Sequence, residues 1–345
     1  MKTKFFTFFL AFLASIETTS ASGTLIGDLC YNLDASSHTA EVTKNEDLIS
    51  RDNYVNIEGA VVIPSSVEYE SVTYTVIGVG ENAFIDCIGM TSITIPGTVQ
   101  TIGKWAFSNC AGLTSATLQD GVKSIGVNAF RECTSLVSVN IPQSVTKIES
   151  SAFYHCRSLT SVNIPDGITS IGKQTFNGCT NLSTINIPNS VTSIGEYAFG
   201  QCGFISMTIP SSVTIIDKAV FWKCASLAEI TIHSGITEIK DIAFKECTSL
   251  TSIYNYGTNP ANAYSSAFDG VNKSTCKLYV PKTSVGLYQN AAVWRDFYNV
   301  EAIEDIMAVD ETEANGTHGM KIVRDGQVLI ERGEKTYTLQ GTEVK

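Results

Sequence analysis

The chain has 345 residues, of which 43% are hydrophobic and 17% are charged, and its formal net charge is −11. This length suits two or three compact domains or one elongated domain. The acidic balance argues against DNA or RNA as a partner, because neutralising phosphates requires a basic surface, and against electrostatic docking on an anionic membrane.

Residues 1–22 have the pattern of a secretory signal peptide. Lys2 and Lys4 precede the apolar run Phe5–Ile16, and the small residues Ser20–Ser22 follow it. The run is too short to cross a bilayer comfortably, and no later segment is apolar enough to do so. A buried first helix is the alternative interpretation. We predict that this segment directs export, and that the protein is secreted or displayed on the outer cell surface.

Residues 23–75 lack the periodicity that dominates the rest of the chain, but they contain strand-like stretches such as "YVNIEGAVVIPSSV" and "VTYTVIGVG". A structure built from stacked repeats must cover its open ends. We therefore predict that this segment is an N-terminal β cap that merges into the first repeat.

Residues 76–281 repeat one unit, approximately V-x-x-I-G-x-x-A-F-x-x-C-x-x-L-x-x-V-x-I-P. Clear copies begin at Val99, Val122, Val145, Ile168, Val191, Val213 and Ile236. The period is 23 residues, except after Val191, where "CGFISMTIP" is one residue shorter than "CTNLSTINIP". A constant period of this size predicts a solenoid, in which each unit forms one coil and stacks on its neighbours.

Each unit contains an alternating stretch such as "LTSVNIP", which predicts a strand. Val162 and Ile164 would point inward, and Ser161 and Asn163 would face solvent. Pro165 would end the strand, because proline cannot donate a hydrogen bond to a neighbouring strand. The "SVTKI" stretch predicts a second short strand. The "AFxxC" stretch predicts a tight helical turn, with its Phe as the large buried residue of the coil.

The repeated cysteine predicts a column of buried thiols. Eight of the ten cysteines share one position of the unit, and they are Cys87, Cys110, Cys133, Cys156, Cys179, Cys202, Cys224 and Cys247. Equivalent side chains on stacked coils point the same way, about 4.8 Å apart, whereas bridged cysteines need converging Cβ atoms about 3.8 Å apart. Disulfides between some neighbours remain the alternative. The spacing of a metal site is not found, so we predict neither a metal nor a cofactor.

Residues 282–303 are predicted to form a C-terminal helical cap over the last coil. The helix would lie in "VPKTSVGLYQNAAVWRDF", with Ser284 as its N-cap residue. Its apolar stripe would consist of Val285, Tyr288, Ala292 and Trp294. Residues 304–319 are acidic and read as a linker. Residues 320–345 read as a small β tail that could be a sorting signal, with a turn at Asp325–Gly326.

The unit A-F-x-x-C-x-x-L-x-x-[IV]-x-I-P, in register from Val76 to about Pro281, resembles the BspA-like leucine-rich repeat family. The resemblance implies a repeat solenoid that is mainly β with short helical turns. Members of this family are mostly surface or secreted proteins of Bacteroidetes-type bacteria, and several act as adhesins. The final strands are similar to a shortened C-terminal sorting tail of such bacteria. No motif defines the ligand contacts of the family, so no site residue is implied.

The sequence carries no recognisable catalytic motif, and we predict that the protein is not an enzyme. The four histidines do not form HExxH, and GxSxG, P-loop and GxGxxG motifs are absent. His155 occupies a variable position and is expected to be exposed. A secreted enzyme with its site in the cap or the tail is a third hypothesis, weakened by the shortness of both segments.

The solvent-facing strand positions predict a binding surface. One file of side chains consists of Ser92, Ser115, Ser138, Ser161, Thr184, Ser206, Glu229 and Ser252, and the other of Thr94, Thr117, Asn140, Asn163, Asn186, Thr208, Thr231 and Tyr254. We predict that the ligand-binding residues are Ser138, Asn140, Ser161, Asn163, Thr184 and Asn186. Small polar residues also keep a sheet soluble, and stacked Asn side chains can form amide ladders, so a purely structural role is the competing interpretation.

The resulting functional hypothesis is a surface or secreted adhesin. Its predicted partner is an extracellular protein or glycan, with no nucleic acid and no membrane-spanning segment, and we expect a monomer. The alternative is a structural spacer or display scaffold that binds nothing through its strands. Four aromatic residues at variable positions beside the repeated Phe could stack on sugars or lie buried between units, and they are Trp105, Tyr154, Tyr197 and Trp222.

Overall fold

The computed structural model describes residues 23–44 and 57–303, and the backbone of five strands between residues 309 and 344. The predicted signal peptide lies outside the described residues. The repeat region is a β-solenoid of about 10 turns with units of about 23 residues, which confirms the predicted fold class.

Each coil contributes one long strand and one short strand. Both pair in parallel with their equivalents in neighbouring coils except at two breaks, which divide the long strands, and likewise the short strands, among three sheets. The long strands are β7 (Met90–Ile95), β9 (Ser115–Leu118), β11 (Ser138–Asn140), β13 (Ser161–Asn163), β15 (Thr184–Asn186), β17 (Ser206–Thr208), β19 (Glu229–Ile232), β21 (Ser252–Asn255) and β23 (Lys277–Pro281). The short strands are β8 (Thr101–Ile102), β10 (Ser124–Ile125), β12 (Lys147–Ile148), β14 (Ser170–Ile171), β16 (Ser193–Ile194), β18 (Ile215–Ile216), β20 (Glu238–Ile239) and β22 (Asn262–Ala263).

Among the described residues, six strands precede the first complete unit: β1 (Thr24–Ile26), β2 (Leu29–Asp34), β3 (Thr39–Thr43), β4 (Gly59–Val62), β5 (Ser66–Tyr69) and β6 (Val72–Val79). β1, β2 and β3 form an antiparallel meander, and β3 then pairs in parallel with β6. β6 pairs in parallel with β8, and β4 with β7. The meander therefore covers the edge of the short-strand sheet, and both sheets continue directly into the solenoid.

The core is a set of columns that run along the solenoid. The Phe rings of successive units stack face to face, with centroids 5.0 Å apart for Phe84–Phe107 and 5.9 Å apart for Phe199–Phe221. Phe268 extends this column beyond the regular units, at 5.1 Å from Phe244. Fully burying one such side chain contributes roughly 2–3 kcal/mol, so the column is a major source of stability.

The repeated cysteines are buried and free, as the thiol interpretation predicts. From Cys110 onward, each Sγ donates a hydrogen bond to the carbonyl oxygen of the Phe in the preceding coil. The distance is 3.1 Å for Cys156 to Phe130 and 3.0 Å for Cys224 to Phe199. The column therefore connects coils through hydrogen bonds.

The "AFxxC" stretch forms consecutive turns closed by bonds from one residue to the third before it, such as Cys133 N to Phe130 O at 3.3 Å. Two residues four apart in most of these turns have positive φ, for example Asn128 (56°) and Glu132 (59°), which keeps the turn from becoming a helix. The turn N–H groups point along the solenoid instead. Phe130 N donates to Ala152 O at 2.8 Å, so the turns form a third backbone hydrogen-bonded connection between coils, besides the long and the short strands.

The shortened unit is accommodated by one glycine and one aromatic side chain. A Cβ on Gly203 would lie 2.3 Å from the carbonyl oxygen of Thr180, so only glycine permits this close approach. Phe204 takes the position that Leu holds in other units, and its ring packs edge-on against Phe199 at 5.7 Å. The larger side chain fills the core although the loop before it has lost a residue.

The C-terminal cap differs in detail from the prediction. The helix is short, α1 (Val285–Asn290), and is flanked by the 3₁₀ segments Lys282–Ser284 and Trp294–Asp296, before strand β24 (Asn299–Ile303). Ser284 makes no capping bond to the helix, and its hydroxyl donates to Thr258 O at 2.8 Å. Ala292 is exposed, so the predicted stripe of one long helix is wrong at that position. Tyr288 and Trp294 are fully buried.

The described part of the C-terminal tail contains five antiparallel strands, β25 (Val309–Glu311), β26 (Gly319–Arg324), β27 (Gln327–Arg332), β28 (Lys335–Thr338) and β29 (Glu343–Val344). Arg324 pairs with Gln327, as a two-residue turn requires, although Asp325 and Gly326 themselves lie outside the described residues. β25 lies within the segment predicted as a linker and pairs with β26.

Candidate ligand-binding surface

The long strands expose one face of their sheet, here called the strand face. In β13, Val162 is buried while Ser161 and Asn163 are exposed, and β11 has the same pattern. The structure places all six predicted binding residues on this face: Ser138, Asn140, Ser161, Asn163, Thr184 and Asn186. Ser161 lies directly beside Thr184, and Asn163 beside Asn186, because β13 and β15 pair in parallel.

Part of the Asn file is already engaged in hydrogen bonds. The Asn186 amide donates to the Asn163 side-chain oxygen at 3.1 Å, and the Asn140 amide donates to Leu118 O at 3.3 Å. The first contact is the beginning of an amide ladder, which supports the structural role. Each amide keeps further donor and acceptor positions directed at solvent, since an amide side chain has two donors and two acceptor lone pairs.

The C-terminal end of the strand face carries aromatic and charged side chains in place of the small polar ones. Tyr254 and Tyr279 are half-buried and their rings stack at 4.7 Å with an interplanar angle of 11°. Lys277 lies over the Tyr279 ring and forms an ion pair with Glu301 at 3.2 Å. Burial and then the nearby Glu229 carboxylate raise the pKa of the Tyr254 hydroxyl.

A second surface, here called the turn face, is formed by the variable residues beside the repeated Phe. The Arg131 guanidinium lies 5.6 Å from the Trp105 ring centroid and 4.7 Å from the Tyr154 ring centroid, and it pairs with Glu132 at 2.9 Å. Tyr154 also stacks on His155 at 4.0 Å. The aromatic and cationic groups therefore bridge three successive coils.

Further along the turn face, Tyr197 packs edge-on against Trp222 at 5.7 Å, and Lys223 lies 4.7 Å from the Trp222 ring centroid. All four aromatic residues of interest are half-buried. Their ring contacts with the next coil explain much of that burial. These contacts favour a role in joining coils over a role as free stacking platforms for sugars.

The described histidines have structural contacts. His155 is half-buried rather than exposed, with its ring over Gly178, where a Cβ would lie 2.0 Å from His155 Cδ2. Burial, and secondarily the Arg157 charge, lowers the pKa of His155. His233 replaces the strand-ending proline, and its ring contacts Val213 O at 2.7 Å and accepts from Gly235 N at 3.0 Å. His318 lies outside the described residues.

Neither a metal centre nor a membrane-spanning helix is found in the part of the chain that the structure describes. Within residues 23–44 and 57–303, no three His, Cys, Asp or Glu side chains are grouped as a metal site would require. In the same part of the chain, no helix has the length and apolar character needed to span a membrane.

Sequence reasoning missed two features of these surfaces. Tyr279 lies in β23, where the unit no longer follows the repeated sequence, so the repeat pattern did not place it beside Tyr254. Its neighbours Leu278 and Val280 are buried, as the alternation of inward and outward side chains in the other long strands would predict. Arg131 stands at a variable position, and its contacts with rings two coils apart follow from the stacking geometry. Aligning the units on one another and comparing their variable positions would have shown that Arg131 lies between two aromatic residues.

Comparisons with known proteins agree with the geometry of the repeat. The profile of the BspA type leucine rich repeat region matches residues 64–167 and 146–275. The structure is similar to a leucine rich cell surface protein from Faecalibacterium prausnitzii, with 24% identity, a TM-score of 0.57, and coverage of 83% of this chain and 96% of that one. It also matches a leucine-rich repeat protein from Bacteroides ovatus, with 24% identity, a TM-score of 0.41, and coverage of 81% and 100%. A search of curated proteins found no match.

Proposed function

Because this chain belongs to the family of BspA-type leucine-rich repeat proteins, we propose that it is an exported, non-catalytic binding protein that recognises an extracellular protein or glycan through its strand face. Export rests on the sequence of residues 1–22. A place at the cell surface is suggested by the name of the Faecalibacterium prausnitzii protein of similar fold. The β tail would then serve as a sorting signal.

The observation that carries the proposal is the strand face itself. Ser161, Asn163, Thr184 and Asn186 stand in register on adjacent strands, exposed and uninterrupted by long side chains. Such a surface offers hydroxyl and amide groups at a spacing of about 4.8 Å and brings a ligand close to the sheet. Solenoids commonly use their extended surface in this way.

The competing function is a spacer that binds nothing through its strands, and the amide contact between Asn163 and Asn186 favours it. Under that hypothesis the polar residues keep the sheet soluble and its register fixed. The two functions differ in one consequence. Long charged side chains on the strand face should abolish ligand binding in the first case and change no binding property in the second.

The test uses the chain from Gly23 to Lys345 on a panel of extracellular matrix proteins and glycans. The variant carries Asn140→Lys, Asn163→Lys and Asn186→Lys. The matched control carries Ser124→Lys, Ser170→Lys and Ser193→Lys on the short strands, where Lys147 shows that the position accepts lysine. We expect saturable binding that the first variant loses and the control keeps. Equal binding by all three chains would contradict a site in the part of the strand face that Asn140, Asn163 and Asn186 occupy.

A further inference from the structure

We propose that the C-terminal end of the strand face holds a subsite for one sugar ring of a neutral glycan, formed by Tyr254, Glu229 and Thr231. This inference rests on the strand-face function proposed above and names the class of ligand. It is carried by an aromatic ring with one open face, a carboxylate beside it that has no ion pair among the described residues, and a floor of short side chains.

The Tyr254 ring has one covered face and one open face. Its backbone neighbours Ile253 and Asn255 are buried, so the Tyr254 side chain points out of the strand face. Tyr279 covers one side of the ring at 4.7 Å. On the other side, the residue in register is Thr231, whose side chain is too short to cover the ring. Within the described residues, Tyr279 makes the one ring contact of Tyr254.

Glu229 places a carboxylate next to the open side of this ring. It lies two residues before Thr231 on the same exposed face of β19, and its in-register neighbours are Ser206 and Ser252. Nearby Lys277 pairs with Glu301, and among the described residues Glu229 forms no ion pair. The register of β19 with β21 places Glu229 diagonally across from Tyr254, and the Glu229 charge is the second cause, after burial, that raises the pKa of Tyr254.

This combination of groups suits a neutral sugar. The C–H face of a sugar ring packs on an aromatic ring, while its hydroxyls donate to a carboxylate and exchange hydrogen bonds with threonine. An unpaired carboxylate in a chain of net charge −11 repels sialic and uronic acids. Further sugar units would extend over Thr208, which lies in register with Thr231.

The backbone argues against an extended peptide at the same place. A peptide that binds by adding a strand needs an unpaired sheet edge. β19 is paired on both sides, with β17 and β21, and β21 is paired with β19 and β23. Their backbone groups are therefore already used, and a ligand must be recognised through side chains.

The experiment applies the chain from Gly23 to Lys345 to an array of neutral and sialylated oligosaccharides, and then titrates the strongest neutral oligosaccharide calorimetrically. Tyr254→Thr introduces the residue found at position 231, and Glu229→Ser introduces the residue found at its in-register neighbours. Tyr298→Thr is the control, because Tyr298 is 78% exposed and lies outside the strand-face alternation. Circular dichroism verifies that each variant is folded.

We expect a neutral oligosaccharide to bind, Tyr254→Thr and Glu229→Ser each to weaken it at least about tenfold, and Tyr298→Thr to leave it unchanged. Binding restricted to sialylated glycans, no binding on the array, or full affinity in Tyr254→Thr would each overturn the subsite. The lysine variant of the Asn file separates the two proposals. Binding lost there but kept in Tyr254→Thr overturns the subsite alone, and binding kept in both overturns the strand-face function as well.

Discussion

At the scale of single residues, each repeated cysteine connects two coils without a covalent bond. The Phe130 carbonyl accepts one hydrogen bond from Cys133 N in its own coil and another from Cys156 Sγ in the next coil. A carbonyl oxygen has two lone pairs, and both are used. A thiol is small and apolar enough to be buried here and still provides a donor. The regular cysteine of this chain is therefore explained by packing and hydrogen bonding.

These thiols predict a fall in stability at alkaline pH. Burial raises the pKa of the Cys224 thiol to about 12, whereas an unfolded cysteine ionises near pH 8.5. Because the folded pKa is the higher one, the stabilisation is complete below pH 8.5 and is lost as pH rises toward 12. We expect ionisation linked to the Cys224 thiol to lower the free energy of unfolding by about 1.4 kcal/mol per pH unit in that window.

Urea unfolding between pH 8 and pH 10.5 measures this effect. Cys224→Ala removes one thiol, so its free energy of unfolding should start lower, through the lost packing, and then fall less steeply than that of the native chain by about 1.4 kcal/mol per pH unit. The titration of lysines and tyrosines is common to both proteins and cancels in the difference. Parallel pH profiles would show that the thiol does not keep its high pKa in the folded state.

At the scale of elements, the C-terminal cap fastens an insertion onto the last coils. The insertion near residues 256–261 interrupts the repeat, and its carbonyl groups need partners. Tyr288 Oη donates to Gly257 O at 3.0 Å, and Trp294 Nε1 donates to Ala261 O at 2.8 Å. Both side chains are fully buried. The cap therefore supplies apolar surface and hydrogen bonds to the same segment.

Removal of the Trp294 side chain should loosen the end of the solenoid selectively. Trp294→Ala is expected to cost about 3–5 kcal/mol locally, because it leaves a cavity and an unpaired carbonyl. In a repeat protein each unit contacts its neighbours, so amide hydrogen exchange should accelerate in Ser252–Pro281 and remain unchanged in Met90–Leu118. Tyr298→Ala, on an exposed aromatic, is the control. Uniform acceleration along the chain would contradict this local coupling.

How much of each element could be predicted depended on whether identical residues recur. The Phe and Cys columns were predictable because the same residue returns every 23 positions. The positive-φ positions were not, because Trp105, Asn128 and Gln174 occupy equivalent places and share no side-chain property. There the backbone bonds between coils determine the conformation. The α1 helix was predicted directly after Ser284, but its capping and its length were not, because the Ser284 hydroxyl bonds to Thr258 of the insertion and the chain becomes extended at Ala291.

At the scale of the whole molecule, the sequence predicted which residues face solvent on the strand face, but not every side chain that each of them contacts. Strand alternation places Asn163 and Asn186 outside and Val162 inside, since successive side chains point to opposite faces. The pairing of Tyr254 with Tyr279 needed the structure, because the spacing changes from 23 to 25 residues across the insertion. The side-chain contacts that the repeat pattern predicts least well therefore lie at the irregular C-terminal end of the solenoid.

The one-dimensional architecture also predicts that the chain tolerates the loss of whole units. Deleting residues 145–167 removes one period and joins Ser144 to Ile168, which is equivalent to Val145. Phe130 would then stack on Phe176, and every column would continue. Since each coil contacts its neighbours, we expect a folded protein with an unchanged circular dichroism spectrum per residue and cooperative unfolding.

Deletion of residues 157–179 should be tolerated equally. It also removes one period of 23 residues, and the columns stay in register whenever one whole period is removed, whatever the end points. Deletion of residues 145–156, about half a unit, is the contrasting variant. It would put polar residues into core positions of one coil and break all three hydrogen-bonded connections at that point, so we expect loss of the cooperative transition. If this variant folded as well as the two whole-unit deletions, stability would not depend on the continuity of the columns, and the Phe stack and thiol bonds would be dispensable between coils.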